Sequence, residues 1–456
     1  MALSLQSGSR VGIIGGGPAG SLFAHFLLTA ARARQLELTV DIYEPRDFTR
    51  AGPGGCNMCG GIVSEWLVEA LTRDGIELPP EVVQRWIDSY VLHTEREEVR
   101  VDTALGLKRI AAIYRGGGPS DFGVAKWCGL DGYLLGLAFR DGARLVPHRV
   151  TGAAWEDGRP TLRTGQRSQT YDLVVGASGV NSSGWNLFDA LGFPGKRPVT
   201  ERAFITELRL GREAISHSLG DSMHIFLLDI PGLYFAALIP KGEFVTVCLL
   251  GKKIDQSIVQ QFFGSEAVRG CLPEDWPAGR GACRCTPKIN LREATRPAID
   301  RAVLIGDCGV SRLYKDGIGA AYQTARAAAL TAANHGISAK DFERHYLPTY
   351  EGIARDNRYG QFIFSQVHWS MALRPVSGGV LRLTADEQAR SNTGRMSTIL
   401  WDMFTGSAPY RDISFRMLDP QLLARLGWTI VRALLPGTRP GPSSTSGTDF
   451  PHQGEG

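Results

Sequence analysis

The chain has 456 residues, a formal net charge of +4, 43% hydrophobic residues and 21% charged residues. That length is too great for one small core and predicts two or three domains; so small a net charge leaves no electrostatic footprint for a nucleic acid. Eight cysteines, Cys56, Cys59, Cys128, Cys248, Cys271, Cys283, Cys285 and Cys308, do not make a disulfide scaffold in a chain this long. Met1 to Ser9 is short and polar rather than a signal peptide, and no apolar run is long enough to span a bilayer. The expectation is a cytoplasmic protein, soluble or bound at a membrane surface.

Val11 to Ile14 is an apolar run that suits a buried parallel strand, and Gly15, Gly17 and Gly20 follow it with G-x-G-x-x-G spacing. An Ala/Leu/Phe-rich helical run continues to about Arg34, and Leu38 to Glu44 forms a second strand that ends in an acid. In such a unit the first glycine permits a tight turn and the second admits a pyrophosphate. The third lets helix and strand pack closely, with the helix N-terminus facing the phosphates. An acid at the end of the second strand accepts hydrogen bonds from a ribose, so this stretch is a dinucleotide pocket.

Gly52-Pro53-Gly54-Gly55-Cys56-Asn57-Met58-Cys59-Gly60-Gly61 follows. So many glycines exclude regular structure and let backbone N–H groups approach something flat or anionic. The C-x-x-C within it reads as small residues packed near a cofactor, as a redox dithiol, or as half of a zinc site. For the last, Cys283-x-Cys285 is a poor second pair, and no metal is expected.

A helix is expected from Ile62 to Leu71 with Ser64 near its cap, and another from Pro79-Pro80 through Ile87. Tyr90–Thr94, Glu98–Thr103 and Lys108–Tyr114 read as strands. Arg115 to Pro119 is a loop, either a plain turn or one that reaches a phosphate. Leu130 to about Arg140 is a helix, and Arg144 to Thr151 returns as a strand. Tyr171 to Gly179 is a buried strand whose small terminal residues leave room for a ligand at the sheet edge. Four short apolar strands at 203–210, 222–228, 233–239 and 244–250 predict a mostly antiparallel sheet, with aromatics that line a pocket or fill a core. Ala302 to Asp307 is another strand ending in an acid, which suits a ribityl hydroxyl. Asp316-Gly317-Ile318-Gly319 then leads into an Ala-rich helix whose N-terminus can meet developing negative charge.

Gly15 to Gly20, the Asp172 to Gly179 strand, and Gly306-Asp307 with Asp316 to Gly319 together resemble the three signatures of the p-hydroxybenzoate-hydroxylase-like FAD flavoproteins. Within that superfamily Cys59-Gly60-Gly61, Leu130 to Leu135, and Pro231-Gly232-Leu233-Tyr234 with Pro240-Lys241-Gly242 are similar to the geranylgeranyl reductase branch. Ala236 or Ala237 stands where that branch carries a Trp, and Ser178 where the superfamily usually has Asp. The resemblance implies FAD held by Gly15, Gly16, Gly17, Pro18, Ala19, Gly20, Glu44, Pro45, Arg46, Gly60, Gly61, Val150, Ala177, Gly179, Asp307, Gly317, Ile318 and Gly319.

It also implies a Rossmann-like α/β FAD-binding domain assembled from 8–75, 126–200 and 290–340. An inserted, mostly antiparallel β-sheet substrate domain would span 76–125 and 201–289, with a helical C-terminal region at 341–436. Residues 437–456, rich in Gly, Pro, Ser and Thr, read as a disordered tail. The implied reaction is reduction of C=C bonds in a hydrophobic, prenyl-type lipid, with NAD(P)H, ferredoxin or a quinol as donor. Candidate catalytic side chains are Cys59, Tyr234 and Cys56. A flavin monooxygenase or halogenase on the same scaffold is the alternative, and a membrane-docking electron-transfer flavoprotein a further one. Tyr346, Tyr350, Tyr359 and Phe362 fall at spacings that can form one stripe. The amphipathic segment 420–435, with Trp428, Arg425 and Arg432, either lies among lipid headgroups or docks on the protein.

Overall fold

The computed structural model describes residues 3–56, 59–102, 110–119, 129–273, 283–390 and 394–434. Cys128, Asn57, Met58, the expected strand start at Lys108 and the tail lie outside them.

The architecture is mixed α/β around a six-stranded sheet. Its order is Ala298–Ile299, Ala302–Leu304, Leu173–Gly176, Arg10–Ile14, Thr39–Tyr43, Arg144–Val146. All neighbours pair in parallel except the first two, which are antiparallel. The inner strands are apolar on both faces, as parallel strands covered by helices must be. One cover is the pair Pro18–Ala33 and Gly317–Asn334, whose small residues, Ala24, Ala31, Ala321, Ala325 and Ala328, are buried at close range.

A seven-stranded, mostly antiparallel sheet stands apart from it, in the order Cys283–Cys285, Phe204–Arg209, Phe244–Gly251, Leu233–Lys241, Ser222–Phe226, Ser89–His93, Glu98–Asp102. One face carries Phe235, Ile239 and Cys248 and packs on the C-terminal helices; the other carries Phe226, Leu238 and Val247 and packs on Gln256–Gly264 and Glu266–Arg269.

Several sequence expectations move. The segment after Pro79-Pro80 is not a helix: Val83–Ile87 is a strand, paired antiparallel with Ile110–Ile113. Val83, Trp86 and Ile87 suit a pleated, half-buried surface, and pairing with a buried strand outweighs the helix-start signal of the prolines. Ile62 and Val63 pair with the same strand, so the helix starts at Glu65, with the Ser64 hydroxyl accepting from the Leu67 N–H at 3.3 Å. The strand from Arg144 stops at Val146, just before Pro147. The helix Leu130–Arg140 has the expected bounds.

The aromatic stripe divides. Tyr346 and Tyr350 are buried against the central sheet, their hydroxyls donating to the Leu304 and Ala294 carbonyls at 2.6 and 2.7 Å, whereas Tyr359 and Phe362 are exposed. The terminal helix Pro420–Leu434 docks through one face: Leu422 is buried, and Leu426 and Ile430 approach Gly379. Its other face leaves Leu423, Trp428 and Val431 exposed. No described helix is long and apolar enough to cross a membrane.

The glycine-rich loops interlock. The Gly52 N–H donates to the Gly118 carbonyl at 2.8 Å, and a Cβ on Gly116 would collide with the Gly55 carbonyl. Gly116→Ala is therefore expected to lower stability by about 1–3 kcal/mol through overpacking. Gly352→Ala, on a helix with open space around it, should raise stability by roughly 0.5–1 kcal/mol. Urea unfolding midpoints of the two variants check both signs.

Candidate functional site

The first half of the site lies where the central strands end. Gly15 has φ +111°, and a Cβ there would run into the Ala177 carbonyl at the end of the neighbouring strand. A Cβ on Gly20 would collide with the Gly15 carbonyl, so turn and helix meet at a distance only glycine allows. Gly17 caps the Pro18–Ala33 helix in extended conformation, with no side-chain cap and no acid in the first turn. The first-turn N–H groups of Ala19 and Gly20, which have no intrahelical partner, thus face outward at the positive end of a long helix, a ready anion site. Pro18 at the first position removes one donor at no cost to the helix.

Glu44 closes this half. Its carboxylate is 3% exposed and accepts from the Gly16 N–H at 3.1 Å and the Arg46 N–H at 2.9 Å, with the Arg46 side chain folded back at 3.2 Å around Pro45. Val150 is buried below with Ile14 and Tyr43. Gly179 turns away at φ +68° with open space beside it.

The second half lies beyond the strand Ala302–Leu304. The Ile305 N–H donates to the Gly176 carbonyl at 2.9 Å, and a single 3-10 turn, Gly306–Cys308, carries Asp307. Its Oδ1 is buried and has no hydrogen-bond partner. Burial raises the Asp307 pKa, and a hydrogen bond from Ser311 and the charge of Arg115 draw it back. Oδ1 lies 3.6 Å from where a Cβ on Gly317 would stand, so the unpartnered oxygen faces the start of the next helix.

That helix begins at Gly317. Asp316, in the left-handed conformation at φ +51°, caps it by accepting from the Gly319 N–H at 3.2 Å. The cap leaves the Gly317 and Ile318 N–H groups at the helix end open. Asp316 pairs with Arg312 at 3.5 Å, and Arg312 also donates to the carbonyls of Gly406 and Ala408. On the other side Asn357 accepts from the Leu313 N–H at 2.9 Å and donates to the Ser311 carbonyl at 2.7 Å. The loop 310–316 is thus fixed from both sides by the C-terminal helices.

Over this floor sits the Cys59 loop. Cys59 is half-buried and accepts weakly from the Gly61 N–H at 3.4 Å. Gly60 and Gly61 pass beside Cys248, Ile239 and Lys241 of the large sheet. Arg115 does not wait for a phosphate: it is bidentate to the buried Asp131, with one bond at 2.9 Å. Burial alone would lower its pKa, but Asp131, with Cys59 and Asp307 nearby, raises it. Among the described residues no two cysteines are joined in a disulfide. Cys285 feels the charges of Cys56 and Cys59, so the two cysteine pairs do come to one side of the sheet. Burial pushes the Cys285 thiol up to about 12.

Tyr234 meets Tyr314 edge to face with centroids 6.0 Å apart, and Phe235, Phe364 and Phe404 continue this aromatic wall. Burial raises the Tyr234 pKa. Lys315 is not among the residues the sequence singles out. Its Nζ is buried without a hydrogen-bond partner, 4.6 Å from the Phe404 ring centroid and 5.2 Å from that of Phe364. Burial, followed by repulsion from Arg312, pushes its pKa well below that of a free lysine.

The structure therefore brings together Gly15 to Gly20, Glu44, Ala177 and Gly179 at one end, and Asp307, Gly317 to Gly319 and the Arg115 side of Cys59 at the other. Tyr234 belongs to the aromatic wall beside Tyr314. The sequence signal for Lys315 is its place one residue before the Asp316-Gly317 cap. Arg312 carries a weaker one, i,i+4 spacing to Asp316.

No protein-family profile matches the chain, and no curated protein sequence matches it. Solved structures do. A flavoprotein/dehydrogenase from Cytophaga hutchinsonii aligns at TM-score 0.63 and 15% identity, covering 94% of this chain and 100% of that one. A point mutant of the halogenase PltM, in complex with FAD, aligns at TM-score 0.58 and 13% identity over 93% of this chain and 91% of the other. The p-nitrophenol 4-monooxygenase PnpA from Pseudomonas putida DLL-E4 aligns at TM-score 0.57 and 14% identity over 89% and 99%. The fold is that of the FAD-binding halogenases and monooxygenases, as the sequence signatures implied. None of these three is named as a prenyl reductase.

Burial pushes the Asp316 pKa from 3.8 up to about 6 against the pull of Arg312. A raised carboxylate stabilises fully below its unfolded pKa, and that contribution is lost as pH climbs through the folded value. The stability of the wild type relative to Asp316→Asn should therefore fall between about pH 4 and pH 6, by up to about 3 kcal/mol. Melting curves of both proteins across that range test the sign.

Proposed function

We propose that this chain is an FAD-dependent oxidoreductase acting on an apolar substrate. The observation that carries the reading is the unpartnered Oδ1 of Asp307, buried at a strand end and turned toward the open N-terminus of the Gly317 helix. A buried carboxylate oxygen without a donor is costly, and a ribityl hydroxyl would supply one. The uncapped Pro18 helix fits a pyrophosphate, and Glu44 beside Gly16 fits the adenosine ribose. Bound FAD would supply two-electron chemistry, with substrate or with oxygen.

The chain's own residues do the rest. The Gly317 and Ile318 N–H groups offer donors and a positive dipole end to negative charge on the pyrimidine side of a flavin. Phe235, Tyr314, Phe364 and Phe404 exclude water and receive an apolar substrate. Lys315 holds an amine with a depressed pKa against that wall and can exchange a proton at Nζ; Cys59 and Tyr234 are the other proton-bearing candidates.

Two reactions fit. Reduction of a C=C bond in a prenyl-type substrate, with NAD(P)H or ferredoxin as donor, is supported by the Cys59-Gly60-Gly61, Leu130 to Leu135 and Pro231 to Gly242 motifs. Oxygen insertion or halogenation is supported to a similar degree by the named activities of the structural neighbours PnpA and PltM. Turnover in the absence of oxygen separates them, since only the reductase proceeds.

Asp307→Asn should weaken FAD binding by roughly ten-fold or more, the effect of one hydrogen bond to a charged group. Flavin fluorescence titration of apoprotein measures it, and an unchanged affinity, or a wild type that stays colourless with added FAD, overturns the assignment. Lys315→Met should raise the melting temperature by removing an unpaired buried amine while lowering turnover. Loss of stability with normal turnover would make Lys315 a packing residue.

A further inference from the structure

On the face of the large sheet opposite the aromatic wall, three side chains far apart in sequence converge. They are His93 on the strand Ser89–His93, His224 on the strand Ser222–Phe226, and Cys271 just after the short helix Glu266–Arg269. All three are buried, with relative exposures of 3%, 6% and 6%. Among the described residues theirs is the set of His, Cys and carboxylate ligand atoms that all lie within 4.8 Å of one another. His93 Nε2 is 2.8 Å from His224 Nδ1, and Cys271 Sγ is 3.8 Å from the first and 3.5 Å from the second.

The outer atoms of both rings are committed. His93 Nδ1 faces the Glu98 carboxylate at 3.1 Å, and His224 makes a hydrogen bond to the Leu219 backbone. His224 Nδ1 is turned to His93 and Cys271, so Nε2 is the atom that donates to the Leu219 carbonyl. A neutral imidazole has one N–H, and here each ring uses it outward. Two lone pairs therefore face each other at hydrogen-bond distance, with a sulfur beside them. Both rings are almost wholly buried. Phe226 stacks flat on His93 at 4.5 Å, which removes water as a partner on that side. The arrangement lacks something positive at its centre.

We infer that His93 Nε2, His224 Nδ1 and Cys271 Sγ form a site for one thiophilic d10 cation, Zn2+ or Cu+. In a tetrahedral site with N at about 2.0–2.1 Å and S at about 2.3 Å from the ion, N···S separations come to about 3.6 Å and N···N to about 3.4 Å. The two N···S distances bracket the first value, and the facing nitrogens, 2.8 Å apart, must part by about 0.6 Å for the second. Nitrogen and thiolate donors together select Zn2+ or Cu+ over the oxygen-loving Mg2+ and Ca2+. Glu98 and the Leu219 carbonyl are the outer partners that fix the tautomer and aim of ligating histidines. Cys271 donates its S–H to the Ala267 carbonyl at 3.4 Å when metal-free; binding releases that proton. The site stands independently of the flavin assignment, because it lies on the other face of the sheet.

The test uses the full-length protein, stripped with a chelator and kept reduced. It is titrated with Zn2+ against a chromophoric competitor and, under argon, with Cu+ against a Cu+-specific one. One equivalent of one of the two ions is expected, with a rise in melting temperature that the chelator reverses. Cys271→Ser and His224→Gln should each weaken binding at least roughly a hundred-fold, and Glu98→Gln, at an exposed position that does not threaten folding, by roughly 10–100-fold. Chelator-treated variants should melt as chelator-treated wild type does. If neither ion binds stoichiometrically, or if Glu98→Gln and the ligand variants bind as wild type does, the site is disproved.

Discussion

Three strand ends, carried by segments more than a hundred residues apart, must arrive at one place for the site to exist. The ladder that brings them there is short: the Ala177 N–H to the Ile14 carbonyl and the Ile305 N–H to the Gly176 carbonyl, each 2.9 Å. Every feature of the candidate site hangs from these bonds. The Gly15 turn, the small residues at Ala177 and Gly179, and the Asp307 turn each follow a strand end by one to three residues. Parallel pairing buries both faces of the strands, which is why all three segments read as short, almost purely apolar runs.

That regularity makes half of the molecule legible from sequence. Strand, glycines, helix and terminal acid announce the Gly15–Glu44 unit because local chemistry decides it, and the bounds of Leu130–Arg140 and the four antiparallel strands follow from patterning alone. Val83–Ile87 reads locally as a helix because its strand identity depends on Ile110–Ile113, a partner that no local signal names. Arg115 reads as part of a plain turn or a phosphate-reaching loop because its counter-ion, Asp131, lies on a helix beyond the intervening residues. Lys315 goes unremarked in the sequence because the rings beside it come from the C-terminal helices. His93, His224 and Cys271 carry no motif at all; the parallel pairing of Ser89–His93 with Ser222–Phe226 creates their neighbourhood.

Asp307 and Lys315 at the candidate site, and the imidazole pair on the far face of the large sheet, differ in what they lack. The Asp307 oxygen faces the start of the Gly317 helix and the Lys315 amine faces the aromatic wall, each without a hydrogen-bond partner. The imidazole pair sits in a closed apolar layer. There the deficit is one of charge rather than of donors.

Arg312 and Asn357 have a consequence for how the protein is made. The Gly15–Gly20 half of the candidate site is complete once the strands through Gly179 have paired, but the loop 310–316 is held by Asn357, Gly406 and Ala408. A nascent chain leaving the ribosome thus holds the Gly15–Gly20 half for more than two hundred residues of synthesis before the Asp307–Gly319 half can set. Through that interval Phe235 of the large sheet lacks the rings of Phe364 and Phe404, which the last helices to emerge supply.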